Sequence, residues 1–226
     1  MTEKAPPSLQ TMAIFDFDGT MIAGDSIVAY LRLALRLGAV SPGEYGKVCW
    51  HTIRYALGLI SDEAVKTRAL RFRAQLSPEK RNALDAVFAL EKLVPRVYPQ
   101  ARECLEKHRA AGHRLVLVSA STENYMRYVA DALGFDALLC TPVAKDGRVE
   151  KNCKGEEKVR RIKAWMEAEG ITADFSASFA YGDSVSDLPV LRLCGHPCLV
   201  NPRRALRRAL PRALEVRWRE KRRAGS

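Results

Sequence analysis

Two aspartates two residues apart, Asp16 and Asp18, close the apolar run Ile14-Phe15-Asp16-Phe17-Asp18 and lead into Gly19-Thr20. Side chains two apart on a strand share a face, so the pair would crowd like charges at a strand tip if the strand ran on. Such a pair raises its own pKa values unless a cation or partner offsets it. Two other polar groups stand in the same relation to apolar runs. Ser119, Ala120 and Ser121 follow Leu115-Val116-Leu117-Val118, and Gly182-Asp183 follows Phe179-Ala180-Tyr181, with Ser184, Ser186 and Asp187 just beyond. On neighbouring parallel strands these three ends would meet at one edge. Carboxylates gathered there require a cation, and Mg2+ is the natural partner: it takes oxygen ligands, uses one or two carboxylates and keeps waters. Metal, carboxylates and a basic side chain together make a site for phosphoryl transfer.

The elements that must place these residues alternate along most of the chain. A short buried strand is predicted over Thr11–Phe17, behind a loose tail of residues 1–11. Residues 26–94 change character: they are rich in Ala, Leu, Arg and Lys at helical spacing. About four helices are expected there, in DSIVAYLRLALRLG, SPGEYGKVCWHTIRYALG, SDEAVKTRALRFRAQL and SPEKRNALDAVFALEKLV, the second with Pro42 near its start and the last two opening on Ser with acidic residues behind it. After Pro95, helix and strand alternate again, with a hairpin turn expected around Asp146-Gly147. Strand–helix alternation predicts an α/β fold, a mainly parallel sheet with helices on both faces. Ligands in such folds bind beyond the C-terminal strand ends. The expected organisation is a core of residues 12–25 and 95–210, a helical insertion of residues 26–94 and a basic tail of residues 211–226.

Composition narrows the class. With 226 residues, 47% hydrophobic and 28% charged, the chain suits one ordinary globular domain or a core plus an insertion. The net charge of +11 favours anionic partners, but much of the excess lies in the Arg-dense end after Pro202, away from the acidic groups. The six cysteines include no C-x-x-C pair, and Cys194-Gly195-His196-Pro197-Cys198 lacks the further ligands of a zinc site. No signal peptide is visible and no long uncharged apolar run occurs, which leads to the expectation of a cytoplasmic protein with free thiols and no transmembrane segment.

The segments DFDGT, VSAS, GEEKV and GDSVSDLPVL occur in this order and resemble the four motifs of the haloacid dehalogenase superfamily. The nearest branch is the phosphoserine-phosphatase-like subfamily (IB), whose helical C1-type cap is inserted between the first two motifs, where residues 26–94 fall. The resemblance spans Met12 to about Asn201. It implies a Rossmann-like doubly wound core with an inserted all-α cap, and Mg2+-dependent hydrolysis of phosphomonoesters. By that resemblance Asp16 is the nucleophile, forming an aspartyl-phosphate, and Asp18 is the general acid and later the base for water. Ser119 donates to a phosphoryl oxygen, and a lysine neutralises developing charge. Lys154 and Lys158 both fit the lysine position, being four apart on one helix face; Lys158 is favoured, with Lys154 then a surface or phosphate-guiding group. Asp183 binds Mg2+ directly, Asp187 binds it through water or orients the lysine, and the Asp18 carbonyl completes the shell with Asp16. Asp187 would equally serve as a helix N-terminal cap.

On the substrate side, Asp25 stands where the subfamily carries an acid for a substrate amino group, although it would equally cap the helix from Ser26. Thr20 and Ser121 join it there, Thr20 chiefly as a shaper of the loop. Arg68, Arg71 and Arg73 could meet a substrate carboxylate or simply face solvent, and Tyr125 and Tyr128 could line a pocket or pack. The expected partner is a small phosphorylated metabolite, phosphoserine-like or an amino-alcohol phosphate, with no obligatory nucleic acid. The rival readings are a mutase using the same nucleophile, a phospho-acceptor signalling module, and a nucleic-acid or membrane binder exploiting the Arg-rich end.

Overall fold

β1 (Met12–Phe15) is buried on both faces, as a central strand of a parallel sheet must be. In the computed structural model, which describes residues 9–144 and 146–220, it pairs in parallel with β2 (Arg114–Thr122) on one side and β4 (Phe179–Gly182) on the other. β3 (Ala137–Thr141) lies outside β2, and β5 (His196–Val200) and β6 (Leu214–Val216) extend the other edge, giving the order β3-β2-β1-β4-β5-β6. Alternating residues feed two cores. Ala13, Phe15, Leu115 and Leu117 face α5 (Pro99–Ala110) and α6 (Glu123–Leu133), which contribute Leu105, Tyr125 and Met126. Met12, Ile14, Val116 and Val118 face α7 (Glu156–Glu169) and α8 (Leu188–Leu193), which contribute Ile162, Val190 and Leu191. This is the doubly wound α/β sheet that the alternation predicts.

Between β1 and α5 lie α1 (Ser26–Arg36), α2 (Pro42–Ala56), α3 (Asp62–Leu70) and α4 (Pro78–Val87). Ser61 and Ser77 accept N–H bonds from Ala64 and Lys80, the capping read from the sequence, and Ser41, just before the expected start at Pro42, accepts from Glu44. Two of the expected helices are irregular. The third ends at Leu70 and tightens into a 3-10 turn over Arg71–Gln75; the fourth widens into a π-helical stretch over Phe88–Leu93. The tightening aims Arg73 inward, where it bonds Asp85 and the Tyr30 hydroxyl; Tyr30 and Asn124 of α6 also donate to Asp85. That buried cluster ties the inserted helices to the sheet layer.

The C-terminal end departs from the expected tail at 211–226. Leu214–Val216 pairs in parallel with Cys198–Val200, and Trp218 is buried, its ring stacked 5.9 Å from that of Tyr181. Asn201 clasps the Trp218 backbone with two 3.0 Å hydrogen bonds. Three residues reading Leu-Glu-Val carry too little periodicity to announce a strand. Residues 1–8 and 221–226, parts of the two expected tails, lie outside the described residues, as does Lys145 of the expected hairpin. Within that hairpin Val143 and Val149 form an antiparallel bridge. Among the described residues no helix is long and apolar enough to cross a membrane.

Candidate active site

β1 stops at Phe15, and its hydrogen-bonding ladder is carried one step further by the Asp16 N–H, which donates to Tyr181 O at 3.0 Å. The chain then folds into a tight loop in which Met21 N and Thr20 N both donate to Phe17 O, and Gly19 N to Ile22 O. Gly19 sits at φ +83°, and a Cβ there would lie 2.6 Å from Asp183 Oδ2. The glycine therefore lets the β1 loop approach the β4 end, at a backbone angle that L side chains disfavour.

This loop corrects the shared-face expectation. Asp16 and Asp18 do not press on each other: the strand ends before Asp16 and the turn sends the two carboxylates to different partners. Asp16 Oδ1 accepts from Lys158 Nζ at 2.7 Å, and its Oδ2 from the Thr20 hydroxyl at 3.1 Å. Asp18 accepts from the N–H and hydroxyl of Ser26, at 3.0 and 2.8 Å, and from the hydroxyl of Ser121. Ser26 is in turn 2.8 Å from the Tyr125 hydroxyl, so Tyr125 supports this bracket from beneath.

Ser119 lies in the last half of β2, just past Val118 where the pairing with β3 slips register, and its Oγ accepts the Ser121 N–H at 3.1 Å. Gly155, at φ +60°, turns the chain into α7, and Lys158 emerges in its first turn with only 2% of its surface exposed. Its ammonium bridges Asp16 Oδ1 and Asp187 Oδ1, each at 2.7 Å. β4 ends on Gly182, where a Cβ would sit 2.6 Å from the Asp187 Cβ, so the following 3-10 turn can fold Asp187 back to the lysine. Asp187 Oδ2 also accepts from the Ser184 N–H and hydroxyl, so this residue both orients the lysine and caps a turn. Asp183 accepts from Arg203 Nε at 3.1 Å.

The electrostatics follow from this crowding. Burial, and then the charge of Asp187, push Asp16 up to about 8 despite Lys158. Burial, and then Asp25, push Asp18 up to about 6 against its three hydrogen bonds. Asp183 is raised to about 6 by burial and then by Asp187. Burial opposes the charge on Lys158, but Asp16 and Asp187 outweigh it and hold the ammonium well above the usual lysine range. Carboxylate oxygens of Asp16, Asp183 and Asp187 lie within 4.8 Å of one another, all buried. Three buried carboxylates offering oxygen-only donors fit a hard divalent cation.

A cavity of about 490 Å³ opens above this cluster. Asp16, Asp18, Ser119, Ser121, Lys158 and Asp183 line its inner half; Asp25, Tyr55, Asp62, Lys66 and Lys154 line its outer half. Among the sequence-predicted residues, Thr20 and Asp187 stand behind the wall. Thr20, expected on the substrate side, is fully buried and spends its hydroxyl on Asp16. Asp25 caps α1, accepting from Ile27 N and Val28 N, and also faces the cavity. Lys154 is partly exposed and lies 3.3 Å from the Tyr55 hydroxyl and 3.4 Å from Asp62. The arginines offered for a carboxylate do not line the cavity: Arg68 pairs with Glu44, Arg73 is buried on Asp85, and Arg71 is exposed elsewhere. Tyr125 packs within the core, and Tyr128 likewise leans on it.

Sequence reasoning missed Tyr55, Asp62, Lys66 and Arg203. Asp62 and Lys66 read as an ordinary i,i+4 surface pair, and only packing turns their helix face to the cavity. Lys66 is buried, donating to Ala120 O at 2.9 Å and Asn152 Oδ1 at 2.8 Å, and burial lowers its pKa.

The chain is similar to known proteins over most of its length. The chain is 29% identical over 203 residues to a histidinol-phosphatase of Neisseria meningitidis, covering 86% of this chain and 91% of the relative. It is 28% identical over 228 residues to phosphoserine phosphatase SerB1 of Mycobacterium tuberculosis, covering 96% and 73%. A Bordetella pertussis crystal structure of unknown function superposes with a TM-score of 0.83 at 25% identity, over 92% of this chain and 99% of that one. A model of the haloacid dehalogenase-like hydrolases matches residues 13–192, from the first residues of β1 to the end of α8. The three strand ends, the buried lysine and the acidic cluster thus sit inside the matched segment, and the chain belongs to the haloacid dehalogenase-like hydrolase family.

Proposed function

We propose that the chain is a Mg2+-dependent phosphatase of small phosphomonoesters, working through an aspartyl-phosphate on Asp16. The observation that carries this reading is the Lys158 ammonium held at 2.7 Å from both Asp16 and Asp187, in one buried cluster with Asp183. Asp16, Asp183 and the Asp18 carbonyl, with Asp187 directly or through water, are the groups that would hold Mg2+, which would neutralise phosphoryl charge and align the ester. Asp16 attacks phosphorus as the bond to the leaving oxygen breaks, and Asp18 delivers its proton to that oxygen. Water then attacks phosphorus, Asp18 takes its proton, and phosphate and Asp16 separate. A pKa near 6 suits Asp18 to both duties, since burial favours the proton while Ser26 and Ser121 stabilise its loss. Lys158 offsets the charge on Asp16 and on the transferring group, and Ser119 donates to a phosphoryl oxygen.

The helices over residues 26–94 are read as a C1-type cap in the phosphoserine-phosphatase-like branch, closing over the ester to exclude bulk water. The six free cysteines suit a reducing compartment, and we place the protein in the cytoplasm. Relatives' names support two substrate classes: histidinol phosphate is an amino-alcohol phosphate, and phosphoserine is an amino-acid phosphate. Hydrolysis of p-nitrophenyl phosphate with Mg2+, its loss on chelation, and its loss in Asp16→Asn are expected. Undiminished turnover in Asp16→Asn would reject the nucleophile.

A further inference from the structure

The N-terminal half of α3 seats on the segment that leads into α7, and one side chain gathers the contact. Asn152 is buried; its N–H donates to Glu63 Oε1 at 3.1 Å and its Nδ2 to Asp62 Oδ2 at 2.8 Å. Its Oδ1 accepts from Lys66 Nζ and from the Thr141 hydroxyl, each at 2.8 Å. Residues 62, 63 and 66 fall on one helix face, so this face of α3 meets a single asparagine. That asparagine fixes where Lys66 points. The lysine is buried, its ammonium makes a second bond to Ala120 O at 2.9 Å, and Asp62 stands 3.6 Å away as counter-charge. Two of its three protons are thus spent on the protein and its charge is matched. Lys66 borders the cavity, but it holds backbone there rather than reaching for a ligand.

Ala120 stands between Ser119 and Ser121. Pairing of β2 with β3 slips register between Val118 and Thr122, and across the slip the Ala120 carbonyl is met by side chains, Lys66 at 2.9 Å and the Thr141 hydroxyl at 2.7 Å. That hydroxyl has one proton and two acceptors in reach, Ala120 O and Asn152 Oδ1, so the lysine is what satisfies both at once. The consequence reaches Ser119 through one peptide unit. The Ala120 carbonyl and the Ser121 N–H belong to the same plane and point in opposite directions. Holding the carbonyl therefore aims the N–H, which donates to Ser119 Oγ at 3.1 Å. A hydroxyl that accepts in this way keeps its own proton for another acceptor, and Ser119 lines the cavity beside Asp16.

We infer that Lys66 is a positioning residue for phosphoryl transfer: from the inserted helices it fixes the Ala120–Ser121 peptide and so aims the Ser119 hydroxyl at the transferring group. The inference rests on the phosphatase reading above and assigns Lys66 no contact with substrate. A double-mutant cycle on the full chain with Mg2+ tests it. Ser119→Ala removes the donor itself and should cost about 10²–10³ in kcat on p-nitrophenyl phosphate. Lys66→Met should cost at least about tenfold in kcat with KM little changed, and almost nothing further in the Ser119→Ala background. Inhibition by orthovanadate, which mimics the transferring group and has no leaving group, should weaken in each single variant and no further in the double. Thr141→Val removes the other donor to the same carbonyl; its smaller loss should likewise vanish beside Ser119→Ala, and it decides the matter if Lys66→Met does not fold by circular dichroism. A smaller loss in Lys66→Met overturns the inference. So does a loss that persists without the Ser119 hydroxyl, whether it runs through Ser121 to Asp18 or through the leaving group. A parent that turns over no p-nitrophenyl phosphate refutes the phosphatase reading and this inference with it; an active parent with an additive cycle refutes the inference alone.

Discussion

Replacing Lys158 by Met, beside the same change at Lys154, should separate the two lysines by orders of magnitude. Lys158 is 2% exposed and makes two 2.7 Å bonds to buried carboxylates. Removing one partner of a buried ion pair costs about 3–5 kcal/mol, and each kcal/mol moves Tm by about 2–4 °C in a chain of this length. A fall of about 6–20 °C is therefore expected without divalent ion. Added Mg2+ should restore part of it, because it supplies charge to the same acids. Loss of a preorganised cation aimed at developing charge costs about 10²–10³ in kcat. The Lys154 side chain is 45% exposed and its contacts are 3.3 and 3.4 Å long, so its change should cost about 0–1 kcal/mol. The measurements are kcat and KM on p-nitrophenyl phosphate, and thermal unfolding with and without Mg2+. Should Lys158→Met keep turnover within about tenfold of the parent, or Lys154→Met lose more, the charge-neutralising role belongs elsewhere.

Three further outcomes are expected. Gly19→Ala places a methyl 2.6 Å from Asp183 Oδ2 at φ +83°, so Mg2+ affinity measured by calorimetry should fall with the fold retained in circular dichroism; unchanged affinity would show that the close approach is unimportant. His108 is buried, 2.8 Å from both the Tyr181 hydroxyl and His113 Nδ1, and burial followed by the charge of His113 lowers it from 6.5 to about 4. The unfolded chain then binds more protons than the folded one in that window, so stability is full above pH 6.5 and drains as pH falls towards 4; His108→Gln should flatten the drop in urea midpoint between pH 7 and pH 5, and an equally steep drop would count against it. Trp218→Ala should cost about 3 kcal/mol in chemical denaturation, whereas a negligible change would mean that the C-terminal segment does not belong to the folded unit.

The alternation of Val-rich runs with helical segments was enough to read a doubly wound sheet, because strand and helix periods differ and each apolar run is short. The order of DFDGT, VSAS, GEEKV and GDSVSDLPVL placed polar residues at three strand ends, and topology does the rest: parallel strands bring their C-terminal ends to one edge. Serines before acidic residues marked helix starts at Ser61 and Ser77, since capping is a local interaction. β6 escaped notice because three residues have no readable period, and its pairing partner lies across the sheet.

Those local patterns dictated the elements and which residues stand at their tips. Packing alone decided where each tip points. Asp16 and Asp18, two apart in the chain, turn to different partners because the strand ends before Asp16 and the chain leaves extended geometry there. Lys154 and Lys158, one helical turn apart, separate into an exposed contact and a buried bridge, since only the second lies in α7 beneath the strand ends. Lys66 and Arg73, nearly alike as residues of the inserted helices, go respectively to the cavity wall and to a buried aspartate. A side chain's neighbours across the fold lie tens of residues away in the chain, and no local period encodes them.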